Sequence, residues 1–344
     1  DRETPLMKTA ALLAAALAGT LAAPPALAQT TLALSSWLPP RHPIVENAIR
    51  PWAEDVERVT EGRVRVRILG KPMGAPPAHF DLARDGVADI TYGLHSFTRD
   101  DRFQRSRIGQ FSFIGDDAAA ASRAFWRVYT EDLDAEAEHK GVQLLGLFVH
   151  GPGVLWNDVR PIETPEDLEG LKIRTPGGYI ADLMGDLGAT TLFMSSGEVY
   201  ERLSRGVIDG VTFTYEALTA FNLTEDLSYG MTAPGGLYNT TWFLVANGDV
   251  WRTLEQKDRD AIMSISGPEF AEGVGEAWNA ADEAAMDAIR AAGVEIAPAS
   301  EEMLAAIREA AANHEEAWAA DLAEQGFDGA EALETMRSFA SSLE

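Results

Sequence analysis

The 344-residue sequence contains no cysteine. That excludes disulfide scaffolds, thiolate nucleophiles, and cysteine-ligated zinc or iron–sulfur sites. Positive charge is scarce as well: 28 Lys and Arg stand against 54 Asp and Glu, a formal net charge of −26. Nucleic acid or an anionic membrane surface repels such a chain unless basic residues are gathered into one patch. The densest basic stretches, residues 63–67 and 99–107, are short and interrupted, so nucleic-acid binding is not expected. Catalytic signatures are missing too. The chain has no His-Glu-x-x-His pair, no Gly-x-Ser-x-Gly elbow, no Ser-x-x-Lys and no phosphate-binding Gly-x-x-x-x-Gly-Lys-Ser/Thr loop. Gly273-Val274-Gly275 falls in a helix-forming stretch and carries no dinucleotide signal. The six histidines are scattered and read as structural or solvated, with His139 and His314 in charged helical stretches that read as surface. No metal and no cofactor is expected, and no enzyme. An exported hydrolase with an unrecognised acid pair is the alternative of another class.

What is present begins with an export signal. Met7-Lys8 opens an apolar run from Thr9 to Ala23, and Ala26-Leu27-Ala28 fits the small-x-small cleavage rule. Met7 is read as the start and residues 1–28 as a cleaved signal peptide, because the run falls short of the roughly 20 residues a spanning helix needs. The segment holds two acids and two bases, so its loss leaves the net charge unchanged. The periplasm is the expected location.

The mature chain alternates strands and helices. Thr31–Trp37 reads as a strand, broken by Leu38-Pro39-Pro40-Arg41-His42-Pro43, and apolar residues from Ile44 to Thr60 recur at helical spacing. Residues 63–69 alternate as a half-exposed strand, His79–Asp85 reads as a helix and Ala88–Tyr92 as a strand. This β-α-β-α-β order implies right-handed crossovers and a parallel sheet. The pattern restarts near residue 145 and defines a second α/β domain over about 151–235. Thr164-Pro165-Glu166-Asp167 is a helix start: an N-cap, a proline at the first position and acids in the first turn. After a strand at Thr240–Val245 the chain turns helical, over Asp258–Arg290 with a break at Gly267-Pro268, then Ser300–Gln325, then from Asp328. Two α/β domains joined by more than one crossing form a cleft that closes on a small ligand.

Several segments together resemble the DctP-type solute-binding proteins of tripartite ATP-independent periplasmic (TRAP) transporters. They are Asp167-Leu168-Glu169-Gly170-Leu171-Lys172-Ile173-Arg174 and the stretch Glu198 to Gly210, supported by Trp37–Pro43 and Asp85–Ile90. The resemblance covers essentially the whole mature chain. It implies a two-domain α/β Venus-flytrap fold with strand exchange and a long C-terminal helical region that runs across both domains. Domain I is then 29–150 plus 236–275, and domain II is 151–235 plus 276–344. It also implies capture of a small organic acid and delivery to TRAP membrane permease subunits, with a homodimer through the C-terminal helices as an option.

Arg174 matches the arginine that family members use to hold a carboxylate, and guanidinium offers a planar fork for two charge-assisted hydrogen bonds. Where other members place a second arginine, this chain has Val154, and Phe213 replaces an asparagine. The expected cleft is therefore rich in aromatics: Trp37, Tyr92, Phe97, Trp156, Phe213, Tyr215 and Trp242, with His150, Glu216 and Asn239 as polar contacts. Two ligand classes fit. One is an apolar or aromatic monocarboxylate, a hydroxy- or keto-acid, held by Arg174. The other is an amine, betaine or zwitterion in an aromatic cage with Glu216.

Overall fold

The computed structural model describes residues 29–98 and 100–343. The expected signal peptide, residues 1–28, lies outside the described residues. In chain order the strands are β1 (Thr30–Ser35), β2 (Val64–Ile68), β3 (Ile90–Leu94), β4 (Val142–Val149), β5 (Val154–Asn157) and β6 (Lys172–Thr175). They continue as β7 (Thr190–Phe193), β8 (Gly210–Phe213), β9 (Tyr229–Thr232), β10 (Thr241–Asn247) and β11 (Glu295–Pro298). One sheet has the order β2-β1-β3-β10-β4 and the other β11-β9-β5-β8-β6-β7. The first β-α-β-α-β unit is parallel, β1 pairing with both β2 and β3. The sheet as a whole is mixed, because β10 runs antiparallel between β3 and β4. A strand that comes from beyond the second sheet thus completes the first, which is the exchange a two-lobed binding protein uses.

Three connections carry the chain between the two sheets. Residues 150–153 join β4 to β5, and residues 233–240 return from β9 to β10. These two pair with each other: Gly153 N–H donates to the Tyr238 carbonyl at 2.9 Å and Leu237 N–H to the Gly153 carbonyl at 3.2 Å. The third is the helix Pro268–Ala291, which packs on β4 and the helix Ala118–Glu131 of the first lobe and on the helix Tyr215–Ala220 of the second. Its approach to Ala118–Glu131 is backbone to backbone: a Cβ on Gly275 would lie 2.4 Å from Ala119 Cα. Only glycine admits that contact. The helix Glu301–Glu324 lies against the helix Tyr179–Asp186, and Gly329–Leu343 lies against Ala118–Glu131. One apolar core therefore runs from Phe125 in the first lobe through Tyr179 and Leu183 to Trp318 and Met336. Among the described residues no helix is long and apolar enough to cross a membrane.

Some local expectations need correction. The stretch from Ile44 begins with a π-helical turn, Val45–Ile49, before the α-helix Arg50–Val59. Thr164 does form a capping box, but the turn it starts is a single 3₁₀ turn, Pro165–Leu168, cut short by Gly170 at φ +80°. His139 is not on the surface. It is 2% exposed, inside a cluster of Phe80, Phe103 and Tyr129 rings. Its Nδ1–H donates to the Ala135 carbonyl at 2.7 Å, leaving Nε2 to accept from His95 Nε2–H at 2.9 Å. Charged neighbours in sequence hid a residue that the helix end turns inward.

Candidate functional site

Between the lobes lies a small cavity lined by residues of both, a position where small-molecule sites commonly occur. The first lobe contributes Trp37 and His42 from the loop after β1, Phe97 from the turn after β3, and Trp242 from β10. The second contributes Arg174 from β6, Phe213 and Thr214 from the end of β8, and Glu216 and Phe221 beyond it. His150, Tyr238 and Thr240 enter from the crossing segments, and Trp278 from the helix that spans both lobes.

Arg174 is 2% exposed. Its Nε donates to the Met194 carbonyl at 2.9 Å and Nη1 to the Thr212 carbonyl at 3.3 Å, and the guanidinium carbon stands 4.3 Å from the centre of the Phe213 ring. Among the described residues no carboxylate forms an ion pair with it. Burial lowers its pKa to about 10, which still leaves it cationic at neutral pH. A buried charge without a counter-ion is costly, and an anion entering the cavity relieves that cost.

The apolar walls are stacked rings. Trp37 and Trp242 lie nearly parallel with centroids 5.5 Å apart, and Trp242 lies 5.3 Å from Trp278. Across the cavity Phe213 and Phe221 stack at 5.7 Å. Phe97 meets Phe193 of the second lobe edge-on at 5.9 Å, so rings from both lobes touch at the mouth.

The acidic side is a pair. Glu216 is 2% exposed, its Oε2 accepts the Thr214 hydroxyl, and its backbone N–H donates to Asp282 Oδ1 at 2.8 Å. Burial raises the Glu216 pKa to about 7. Asp282, desolvated and next to Glu216, is raised well above the usual carboxylate range. His42 and His150 are pushed down to about 4 by burial, so both are neutral at pH 7. Among the described residues no group of three or more His, Asp or Glu is placed to hold a metal ion.

Of the residues singled out from sequence, Arg174, Trp37, Phe213, Glu216 and His150 line this cavity together, with Phe97 and Trp242. Tyr92, Trp156, Tyr215 and Asn239 do not line it. Tyr92 stands behind Trp37, its carbonyl accepting the indole N–H at 3.1 Å and its hydroxyl meeting Ser36 at 2.6 Å. Trp156 is fully buried and donates to the Phe213 carbonyl at 3.1 Å, fixing the ring under Arg174 from behind. Tyr215 packs on Trp156 and faces a separate hollow with Asp116 and Thr232. With its amide nitrogen facing the loop, Asn239 donates to the carbonyls of His150 at 2.7 Å and Gly151 at 3.1 Å. Each buttresses a wall. His42, Tyr238, Phe221 and Trp278 escaped the sequence reading as site residues. His42 stood within the Leu-Pro-Pro-Arg-His-Pro loop already noted, whereas nothing in the helical pattern around Trp278 marks it.

Two α/β lobes with an exchanged strand, crossed by a long helix and enclosing an aromatic cavity with a buried cation, define a periplasmic-type solute-binding protein. The chain belongs to the bacterial extracellular solute-binding protein family 7, DctP, whose model matches residues 34–321. It is a solute-binding protein of the TRAP type, a family of transporter components and not of enzymes. A TRAP periplasmic solute-binding protein of Bordetella bronchiseptica, solved with bound (R)- and (S)-mandelate, is 37% identical with a TM-score of 0.89, covering 92% of this chain and all of that one. One from Rhodoferax ferrireducens T118, in complex with copurified benzoate, is 29% identical with a TM-score of 0.83, covering 91% and 98%. The protein named outer membrane transporter protein TsaT of Comamonas testosteroni is 31% identical over 316 residues, 91% of this chain and 92% of that protein.

Proposed function

We infer that this chain captures a small aromatic monocarboxylate in the periplasm and hands it to the membrane subunits of a TRAP transporter. The observation that carries this reading is Arg174: a buried guanidinium with no carboxylate partner among the described residues, at the floor of a cavity walled by Trp37, Trp242, Phe97 and Phe213. The carboxylate pairs with the free edge of the guanidinium, and the ring slots between the stacked aromatics. The mandelate- and benzoate-bound relatives support the same class of ligand. An amine or betaine is less well served, because burial draws Glu216 toward its neutral form and removes the anion that an aromatic cage needs.

The test is calorimetric titration of the purified mature chain with benzoate, mandelate, propionate and glycine betaine. The aryl acids are expected to bind, and Arg174→Ala to weaken them by about 2–5 kcal/mol. Binding of betaine alone, or aryl-acid affinity unmoved in Arg174→Ala, would sink the reading.

A further inference from the structure

One corner of the cavity is built for a second polar contact, and it lies apart from the guanidinium. His42 Nδ1 accepts the Ile44 backbone N–H at 3.3 Å, so the neutral ring carries its proton on Nε2. That N–H faces Glu216 Oε1 at 3.8 Å, too far for a direct hydrogen bond. One oxygen atom placed between them reaches both. The other polar atoms of Glu216 are already engaged: Oε2 with the Thr214 hydroxyl and the backbone N–H with Asp282. The third member is Trp278, 2% exposed, whose indole N–H is directed at the Glu216 carboxyl but falls short of good hydrogen-bond geometry with it. Buried polar groups are almost always partnered. Here two N–H donors face one buried carboxyl on the cavity wall, neither in close hydrogen-bond geometry with it.

The geometry points to a hydroxyl-recognition notch formed by His42, Glu216 and Trp278, which makes the ligand a hydroxylated aryl carboxylate. This rests on the reading that Arg174 holds the carboxylate. A hydroxyl oxygen accepts from His42 Nε2–H or Trp278 Nε1–H while its own proton goes to Glu216 Oε1. A carbonyl oxygen satisfies the donors alone, and a bare methylene satisfies none of the three. The notch therefore discriminates by leaving its own groups unpaired when the hydroxyl is missing, the strongest form of small-molecule selectivity.

Matched ligands test it. Mandelate, phenylacetate and phenylglyoxylate differ at the carbon next to the carboxylate, and 3-hydroxybenzoate and benzoate differ on the ring. These two sets separate a side-chain hydroxyl from a ring hydroxyl. In at least one set the hydroxy acid is expected to bind on the order of tenfold or more tighter than its deoxy and oxo analogues. Glu216→Leu and Trp278→Phe are each expected to bring that ratio toward one, with thermal melts checking that the variants fold. Should Glu216→Leu fail to fold, Trp278→Phe keeps the ring and removes only the donor. Equal binding within both sets, or a ratio that survives Trp278→Phe, overturns the notch while leaving the carboxylate reading intact. Absence of binding by every aryl acid overturns both.

Discussion

At the scale of single residues, the cleft and the first-lobe core both hold titratable groups away from their ordinary charge states. His42, His139 and His150 are lowered to about 4 from 6.5, and His95 lies well below its ordinary value, all by burial. A histidine lowered in the fold binds fewer protons than in the unfolded chain, so its contribution to stability is complete above pH 6.5 and lost as pH falls toward 4. Glu216 and Asp282 act in the opposite sense. Their raised values mean that the fold holds protons the unfolded chain releases, so they favour folding as pH falls through 7. His79 is lowered by burial as well, and Glu138 and Asp158 are raised by it. Five histidines thus stand against four acids, and the urea midpoint is expected to drop between pH 6.5 and 4.5. In Glu216→Gln/Asp282→Asn their opposing contribution is gone and the drop steepens; an unchanged slope would show both acids ionised in the native protein. At this scale Arg174 was legible through its Gly-Leu-Lys-Ile-Arg motif, and Glu216 and Phe213 through their place after a strand. Trp278 was not, because it lies more than a hundred residues from Arg174 and nothing local distinguishes a cavity-facing tryptophan from a core one.

At the scale of elements, apolar alternation and capping signals located most strands and helices to within a residue or two. Ser195 and Glu198 form a capping box at the start of the helix Ser196–Ser204. Pairing between distant strands leaves no such local trace, and the antiparallel insertion of β10 between β3 and β4 is of that kind. Nor does the sequence show why Gly273-Val274-Gly275 tolerates two glycines inside a helix. The fold accounts for one of them: at Gly275 the helix Pro268–Ala291 touches the backbone at Ala118 and Ala119, whereas a Cβ on Gly273 would meet nothing within 4 Å. Gly275→Val is expected to force the two helices apart and cost about 1–3 kcal/mol, measured as a lower midpoint in chemical denaturation. A midpoint equal to wild type would mean that the helices are free to separate at that point. Trp37→Ala tests the wall instead: it should weaken aryl acids more than propionate, and equal losses would assign Trp37 to core packing.

At the scale of the whole molecule, Arg174 and Glu216 are each 2% exposed, held out of solvent between the lobes. Ligand entry is therefore expected to involve parting of the lobes. The pairing of the crossing segments, with Gly235 at φ +74° and Gly236 at φ +85°, gives a bend where backbone rotation is available. Small-angle scattering is expected to show a larger radius of gyration without ligand than with a saturating aryl acid; superimposable curves would count against opening. The edge-on contact of Phe97 with Phe193 joins the two lobes and is expected to break when they part. The row Trp37, Trp242 and Trp278, with centroids 5.5 and 5.3 Å apart, has a further property. Indoles this close share their electronic excitation, so the row behaves as one chromophore whose near-ultraviolet dichroism depends on the mutual angles of its rings. An aromatic guest sliding alongside becomes part of that chromophore. The unlabelled protein is then an optical sensor of its own occupancy.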